Sequence, residues 1–327
     1  MKQSFLNALD LKNRDKYPPL WELEFHLWDK FGQGRFSVGS DFEKLSNAQK
    51  EHALHENAET IARVSELLSF SAVTIPGDYW EVVPGEPAFY YMPGEYRFLQ
   101  AKIIKEYTGD KIALVANTGG VMAMPEGHEF VDFSIQMMTE PDSIDIIARK
   151  KLETAKISID RFAEIGIDVM LTASDIADGH GLYFSPEQLD RYIYPYLTEW
   201  NAYIKEKGLR SIMHTDGNIN GALNDIACSG INGLQAIDST ARMDIVKIEH
   251  EYKDRICVCG NIDCGTVQLS TPDKIYETTT LLLNEIGESP AFVAGASNAL
   301  QYATPAENYM AIAEAVKNKR KNNTNTK

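Results

Sequence analysis

The sequence has no long hydrophobic run, few cysteines and no surplus of basic residues. No stretch approaches 18 consecutive apolar residues, so we expect no membrane-spanning helix. The first 20 residues lack the apolar core and the small-residue cleavage site of a secretory signal peptide, so we expect a cytoplasmic protein. Four cysteines in 327 residues do not form a disulfide framework.

The charge balance excludes some classes of partner. The 47 Asp and Glu residues outnumber the 32 Lys and Arg residues, which gives a net charge of −15. Proteins bind nucleic acids and anionic membranes through basic surface, so neither is expected as the main partner. The same charge weighs against a polyanionic small substrate. The length and the 44% hydrophobic content suit two ordinary domains or one large α/β domain.

Eight short runs, rich in apolar, β-branched or aromatic residues, alternate with longer amphipathic stretches. The runs are LWELEF (20–25), FSAVTI (70–75), IALVAN (112–117), DVMLTA (168–173), RSIMHT (210–215), GLQAI (233–237), RICVCG (255–260) and AFVAG (292–296). This alternation predicts a parallel sheet that closes into a (β/α)8 TIM barrel, a single domain over residues 1–316. We expect the polar segment 317–327 to be a disordered tail.

An open, doubly wound sheet is the alternative architecture. Its nucleotide-binding forms lose support because no G-x-G-x-x-G follows the first run and no G-x-x-x-x-G-K-[ST] is present. Helices are predicted over 142–166, 186–207, 242–253, 272–287 and 305–318. Three of them begin with a hydroxyl residue followed by proline, the order expected for an N-cap and the first helical position: Ser185-Pro186, Thr271-Pro272 and Thr304-Pro305.

Residues 76–100 interrupt the alternation with a segment rich in proline, glycine and aromatic residues. A long structured loop after a barrel strand lies at the C-terminal face, where barrel active sites are built. We therefore expect four residues of this segment to contact substrate: Asp78, Tyr79, Trp80 and Tyr91. The alternative is a packed loop that does not touch substrate.

The strongest candidates for chemistry follow the fifth run, in SIMHTDGN. His214 and Asp216 share the parity of Ile212, so both lie on one side of the strand end. An imidazole and a carboxylate in this arrangement are two ligands for a catalytic zinc with an open position. They also suit an acid–base pair in which Asp216 orients His214. A buried histidine without a functional role is the alternative.

The first and the fourth runs also carry polar residues at or near their ends. In WELEFH, Glu24 and His26 share a parity with Glu22, and we expect Glu24 and His26 at the barrel mouth if this polar face points to the barrel axis. If the apolar face points inward instead, the glutamates lie against the helices and need buried partners. Asp175 follows the fourth run and is a candidate to bind substrate, to ligate a metal or to cap a helix.

The last two runs lead to Cys264, in GNIDCG, and to Asn298, in AGASNAL. Of the four cysteines, Cys264 is the one we expect as a metal ligand, and Asn298 is a candidate to bind substrate. Cys257 and Cys259 fit a buried strand of small, soft side chains, or less readily a metal or redox site.

The C-terminal half of the sequence resembles a known group of proteins. The series SPEQLDRYIYPYL, IMHTDGNI, CGNIDCG and TPAENYMAIAEAV resembles the uroporphyrinogen decarboxylase superfamily, which also contains methyltransferases of corrinoid-dependent systems. The resemblance runs from about Asp168 to Lys317 and more loosely over the first 130 residues. It implies a (β/α)8 barrel, in agreement with the number of runs.

The resemblance implies one of two chemistries. In the decarboxylases the first strand leads into an arginine-rich segment similar to R-Q-A-G-R-Y, whereas this chain has ELEFHLWDKFGQGR. The methyltransferases use zinc held by an H-x-C pair and a later cysteine. Here His214 matches the histidine, Asp216 stands in place of the first cysteine and Ser297 lies near the second. Zinc would then be held by His214, Asp216 and an acid or Cys264, or it would be absent.

We therefore predict a methyltransferase that moves a methyl group from a methoxylated or methylated small substrate to a separate corrinoid (cobalamin) protein, with assistance from zinc. His214, Asp216, Glu24 and Asp175 are the predicted catalytic residues. A decarboxylase, with Asp78 as its key carboxylate and Arg97 and Arg242 as its cations, is the first alternative. A barrel that binds a ligand without turnover is the second. The oligomeric state is left open, with a homodimer as one candidate.

Overall fold

The computed structural model describes residues 1–12, 18–32, 34–78, 81–83, 86–87, 90–125 and 127–322. The helices in these ranges are α1 Lys2–Leu9, α2 Trp28–Phe31, α3 Gly39–Glu43, α4 Asn47–Leu68, α5 Tyr96–Thr108, α6 Glu129–Thr139, α7 Pro141–Ile165, α8 Pro186–Tyr192, α9 Tyr194–Glu206, α10 Leu223–Cys228, α11 Ile245–Tyr252, α12 Cys264–Leu269, α13 Pro272–Ile286 and α14 Ala306–Asn322. The strands are β1 Ala72–Thr74, β2 Glu81–Val83, β3 Glu86–Pro87, β4 Ala113–Asn117, β5 Val169–Ala173, β6 Ala177–Asp178, β7 Gly181–Leu182, β8 Arg210–Thr215, β9 Gly233–Ala236, β10 Cys257–Cys259 and β11 Phe292–Val293.

Seven strands form one parallel sheet in the order β1-β4-β5-β8-β9-β10-β11. Every neighbouring pair is parallel, and successive strands are joined through helices on the outside. Each of the seven corresponds to one of the predicted runs from 70–75 onward, so the prediction of a parallel α/β sheet is confirmed. The pairs β2–β3 and β6–β7 are small antiparallel hairpins outside this sheet.

The first predicted run, 20–25, differs from the other seven because it makes only isolated bridges. Leu20 bridges Ala294, just after β11, and its carbonyl accepts a hydrogen bond from the Ser71 amide, just before β1 (2.8 Å). The segment therefore contacts both edges of the sheet, which is curled. Further along, Phe25 bridges Leu300. The complete eight-stranded barrel of the prediction is thus observed as a curled seven-stranded sheet with a bridging segment.

The sheet separates two apolar cores. The outer core lies between the strands and the surrounding helices. The inner core lies on the concave side, where Val169, Leu171 and Ile212 meet residues of α1, a helix that was not predicted. Phe5 of α1 packs against Trp21 with ring centroids 5.8 Å apart. Helix α1 therefore covers one end of the concave side, which leaves the C-terminal end of the strands for polar residues.

Most of the predicted helices are present with similar bounds. The 142–166 prediction corresponds to α7, and 272–287 corresponds to α13, which begins as expected with the Thr271 hydroxyl accepting from the Lys274 amide (3.4 Å). The 186–207 prediction is divided into α8 and α9. Helix α14 includes residues 317–322, which belong to the predicted tail. Among the helices of the described ranges, we find none with the length and hydropathy of a bilayer-spanning segment.

Candidate metal centre

Three side chains meet at the C-terminal ends of β5 and β8. One ligand atom from each of Asp175, His214 and Asp216 lies within 4.8 Å of the others. The Nε2 atom of His214 is 3.8 Å from Oδ1 of Asp175 and 3.8 Å from Oδ2 of Asp216. These three residues were predicted separately from two different runs, and the structure brings them together.

The backbone at the two strand ends holds this cluster. Strand β8 is paired with β5 so that His214 lies opposite Ala173. Beyond the pairing, the Ser174 amide donates to the His214 carbonyl (2.9 Å), and the Asp216 amide donates to Oδ1 of Asp175 (2.8 Å). Through the last bond, the backbone of Asp216 orients the carboxylate of Asp175.

Gly217 allows the chain after β8 to approach the β6–β7 hairpin. Its φ is +84°, and a Cβ at this position would lie 2.6 Å from backbone atoms of Ala177 and Asp178. Both facts favour glycine, because other residues rarely adopt this conformation and any side chain would clash. The close approach brings Asp178 to the same end of the sheet as Asp216.

His214 has a defined orientation because of Gln235, which lies opposite it on β9. The amide nitrogen of Gln235 donates to the carbonyls of Ala296 and Ser297, so its Oε1 faces Nδ1 of His214 at 2.5 Å. This arrangement assigns the proton of neutral His214 to Nδ1 and leaves a lone pair on Nε2, toward the two carboxylates. His214 is only 4% exposed, which protects this arrangement from competing water.

Asn298 contacts Asp216, and Cys264 contacts Asn298. The amide of Asn298 donates to Oδ2 of Asp216 (2.5 Å), so Asn298 positions a carboxylate of the cluster. The thiol of Cys264 donates to the Asn298 carbonyl (3.3 Å), and burial raises its pKa to about 11. Cys264 is not one of the three clustered residues, and its thiol is protonated at neutral pH.

Glu24 and His26 contact each other, with Nε2 of His26 2.9 Å from Oε2 of Glu24. The His26 ring stacks on Tyr90 at a centroid distance of 4.3 Å. Backbone hydrogen bonds tie both residues to Leu300, two positions after Asn298. The pair therefore lies at the same end of the sheet as the cluster.

Glu22, which shares the parity of Glu24 and His26, faces the helices instead. It is 3% exposed, and its two carboxylate oxygens accept from the Tyr309 hydroxyl of α14 and from the Ala296 amide, each at 2.8 Å. Burial raises the pKa of Glu22 to about 8. Trp21 and Leu23 belong to the inner core, so the alternative in which the apolar face points inward applies to this part of the segment.

The 76–100 segment is only partly described. Asp78 pairs with Arg97 (2.7 Å), and the buried Tyr91 donates to Glu43 (2.9 Å). The predictions for Tyr79 and Trp80 concern residues outside the described ranges. The decarboxylase alternative requires Arg97 and Arg242 as cations. Because Arg97 forms an ion pair with Asp78, the charge of one of these two arginines is already balanced.

A cavity of about 580 Å³ opens beside Asp175 and Asp216. Its described lining comes from the 124–131 segment, the β6–β7 hairpin and the ends of β8 and β9: Met124, Pro125, Gly127, Phe130, Val131, Asp175, Ala177, Asp178, Gly179, Tyr183, Asp216, Gly217 and Asp238. No described residue of the 76–100 segment is among them. A volume in this range suits a small molecule.

Gln235 and Asp238 were not predicted from the sequence, and neither was the cavity wall formed by Met124, Pro125, Gly127, Phe130 and Val131. A polar residue within the apolar run GLQAI was a signal for Gln235, because a buried amide requires partners. No comparable signal marked the wall, since its position depends on the hydrogen bond from the Met124 amide to the Asp175 carbonyl (2.9 Å).

Fold and site together define an α/β protein with a candidate metal centre at the carboxyl end of a curled parallel sheet. Residues 96–319 match the model of the family described as uroporphyrinogen decarboxylase (URO-D), and this match covers most of the chain. The chain therefore belongs to that family, which confirms the resemblance found in the sequence.

Individual relatives are more distant. A uroporphyrinogen decarboxylase of Chlorobium phaeobacteroides is 30% identical over 140 residues, which are 42% of this chain and 39% of that protein. One of Coxiella burnetii is 25% identical over 201 residues, 60% of this chain and 54% of that protein. The chain thus spans about half or less of the curated relatives that it matches. A solved methyltransferase from Methanosarcina mazei, 18% identical, has the same fold, with a TM-score of 0.70 over 97% of this chain and 98% of the other.

Proposed function

We propose that this protein is a methyltransferase that moves a methyl group from a methylated or methoxylated small substrate to a corrinoid carried by a partner protein. The observation that carries the proposal is the cluster of Asp175, His214 and Asp216 beside a cavity at the carboxyl end of the sheet. The fold shared with a methyltransferase over nearly the whole of both chains supports it. We also propose that segment 20–25 completes an eight-stranded barrel.

The cluster fits a zinc ion. One imidazole nitrogen and two carboxylate oxygens are three protein ligands, and a fourth position is left for substrate, as in catalytic zinc sites. Gln235 accepts from the opposite nitrogen of His214, the type of second partner that metal-binding histidines usually have. Zinc bound there would supply a Lewis acid for an oxygen or nitrogen of the substrate.

The protein's own residues orient the site. Asn298 positions Asp216, and the Asp216 amide positions Asp175, so both carboxylates face His214 without rearrangement. We also propose a role in substrate binding and proton transfer for the hydrogen-bonded Glu24–His26 pair, which the backbone holds beside Leu300 at the same end of the sheet. The pair is not among the described residues that line the cavity beside Asp175 and Asp216.

A decarboxylase is the second candidate, favoured by the family model and by the curated relatives. Porphyrinogens carry many carboxylates and need cationic groups in the pocket. The described cavity lining contains four aspartates and neither lysine nor arginine. A negatively charged lining repels such a substrate, so we favour methyl transfer.

Replacement of His214 by alanine tests the proposal. The wild-type protein is expected to hold one divalent metal per chain, and His214→Ala should lose most of it together with methyl transfer, because one of three ligands is removed. Metal content is measured by elemental analysis, and transfer is measured by formation of methylcobalamin from reduced cobalamin.

The exposed His52 of α4 provides the matched control. His52→Ala should retain both metal and activity. A metal-free protein that transfers methyl groups at the wild-type rate would contradict the metal assignment. Formation of coproporphyrinogen from uroporphyrinogen would establish the decarboxylase instead.

A further inference from the structure

The charge of the cavity narrows the class of methyl donor. We infer that the cavity binds a small organic cation, a methylated ammonium, in preference to a neutral methoxylated compound or a carboxylate. This inference rests on the proposed function for the chemistry that follows binding. The preference for a cation rests on the residues that line the cavity.

Four aspartates line the cavity: Asp175, Asp178, Asp216 and Asp238. A divalent metal on Asp175 and Asp216 would balance two negative charges, and Asp178 and Asp238 would still carry two. No lysine or arginine is among the described lining residues. The ring of His180 lies 3.7 Å from Asp178 but is 98% exposed, so water screens any charge that it carries.

The two additional aspartates are held in place by their own loops. Oδ1 of Asp178 accepts from the amides of His180 (2.7 Å) and Gly181 (3.1 Å), and the first of these bonds lowers its pKa. Oδ1 of Asp238 accepts from the Thr240 amide (2.8 Å) and hydroxyl (2.7 Å). In both residues these bonds use Oδ1, so the second oxygen is available to a ligand while the carboxylate keeps its orientation.

Two further features point to a ligand at this place. His214 is 4% exposed, and its Nε2 lies 3.8 Å from each nearby carboxylate, which exceeds a hydrogen-bond distance. This nitrogen faces the two aspartates that line the cavity. Aromatic rings also line the cavity, with Phe130 and Tyr183 in an edge-to-face pair at 5.6 Å. Aromatic faces attract ammonium groups, and carboxylates strengthen that attraction.

Methyl transfer from a quaternary ammonium to the corrinoid requires no proton. The bond between nitrogen and the methyl carbon breaks, and its electron pair goes to nitrogen. The methyl carbon bonds to the electron pair of the reduced corrinoid of the partner. A quaternary ammonium therefore leaves as a neutral tertiary amine. A methoxyl donor would leave as an anion, which two uncompensated aspartates disfavour.

Binding of two probes of the same shape tests the inference. Choline carries a positively charged quaternary nitrogen. In 3,3-dimethyl-1-butanol an uncharged carbon takes the place of this nitrogen. The zinc-loaded protein should bind choline at least tenfold more tightly in calorimetric titration. Asp178→Asn and Asp238→Asn retain Oδ1 as an acceptor but remove the charge, so each should reduce this preference severalfold.

The exposed Asp254 supplies a charge-matched control, and Asp254→Asn should bind both probes as the wild type does. Equal affinity for the two probes, or unchanged choline binding in both cavity variants, would overturn the inference. Methyl transfer to reduced cobalamin is assayed separately. Transfer from methoxylated aromatics but not from quaternary ammonium compounds would overturn the inference and leave the proposed function intact. Selective choline binding without transfer from any donor would support the inference and contradict the proposed function.

Discussion

At the scale of single residues, the chemistry of the site depends on which nitrogen of His214 carries its proton. An imidazole with Nδ1 protonated presents Nε2 as a ligand, and the opposite tautomer would present a donor to two carboxylates. Gln235 selects the first because its own amide nitrogen is occupied by the Ala296 and Ser297 carbonyls. A residue that contacts neither carboxylate thus determines what the histidine can bind.

Replacement of Gln235 by leucine should weaken zinc binding about 10- to 100-fold, the usual effect of removing the second partner of a ligating histidine. Zinc affinity is measured by competition with a chromophoric chelator. Gln100→Leu is the matched control, because Gln100 is an equally buried amide that bonds to Leu54 and Asn57 on α4. The role assigned to Gln235 is wrong if Gln235→Leu and Gln100→Leu bind zinc equally well.

At the scale of elements, the 20–25 segment is joined to α14 and to the end of β11 by one buried carboxylate. Glu22 accepts from Tyr309 on the helix and from Ala296 beyond the strand. The Ala296 carbonyl in turn accepts from Gln235. A chain of hydrogen bonds therefore connects the first segment to the partner of His214.

Glu22 should make the protein less stable as the pH rises. Burial raises its pKa from 4.5 to about 8, so the folded state binds this proton more tightly than the unfolded chain. Its contribution to stability is fully present below pH 4.5 and is lost as the pH rises through 8. Each pKa unit corresponds to roughly 1.4 kcal/mol, so the loss amounts to a few kcal/mol.

Urea unfolding at pH 5.5 and pH 9 measures this effect. Glu22→Gln does not titrate, so its unfolding free energy should change less between the two values than that of the wild type. Glu66→Gln, at an exposed position on α4, should follow the wild type. Parallel pH dependence of all three proteins would show that Glu22 does not titrate in this range.

At the scale of the whole molecule, a metal on the cluster would join the ends of two neighbouring strands. Asp175 follows β5, whereas His214 and Asp216 belong to the end of β8. Any ligand that binds only the folded state stabilises it in proportion to the logarithm of its concentration over its Kd. Metal binding and global stability are therefore linked.

Removal of the metal should lower the thermal midpoint by a few degrees. Zinc at 100 times its Kd adds about 2.7 kcal/mol to the free energy of unfolding, and chelation removes this contribution. Differential scanning calorimetry with and without a chelator measures the shift. His214→Ala should show no shift, and a wild-type midpoint that is insensitive to both zinc and chelator would contradict metal binding.

Much of the fold could be predicted because periodicity is a local property. Seven apolar runs became strands, and the proline and hydroxyl at the start of α13 marked that helix correctly. The 20–25 run fits the same pattern but forms only isolated bridges, because the chain pairs first at Leu20 and again at Phe25 with different partners. The alternation of side chains does not specify the hydrogen-bond partners of a backbone.

The candidate site was predictable only in part. The parity of His214 and Asp216 with Ile212 predicted their common side, and the position of Asp175 after a strand predicted its edge of the sheet. The cavity wall from Met124 and Pro125 and from Gly127, Phe130 and Val131 was missed, and so was the partner of His214. Both depend on contacts between segments that lie far apart in the chain.

The sequence by itself determined the alternation of strands and helices, the acidic balance and the family, because each of these depends on residue types and their local spacing. Only the tertiary structure decided that Asp175 joins His214 and Asp216, that Cys264 lies outside this cluster and that Glu22 faces a helix. These outcomes follow from sheet order and strand register, which are set by the packing of the whole chain.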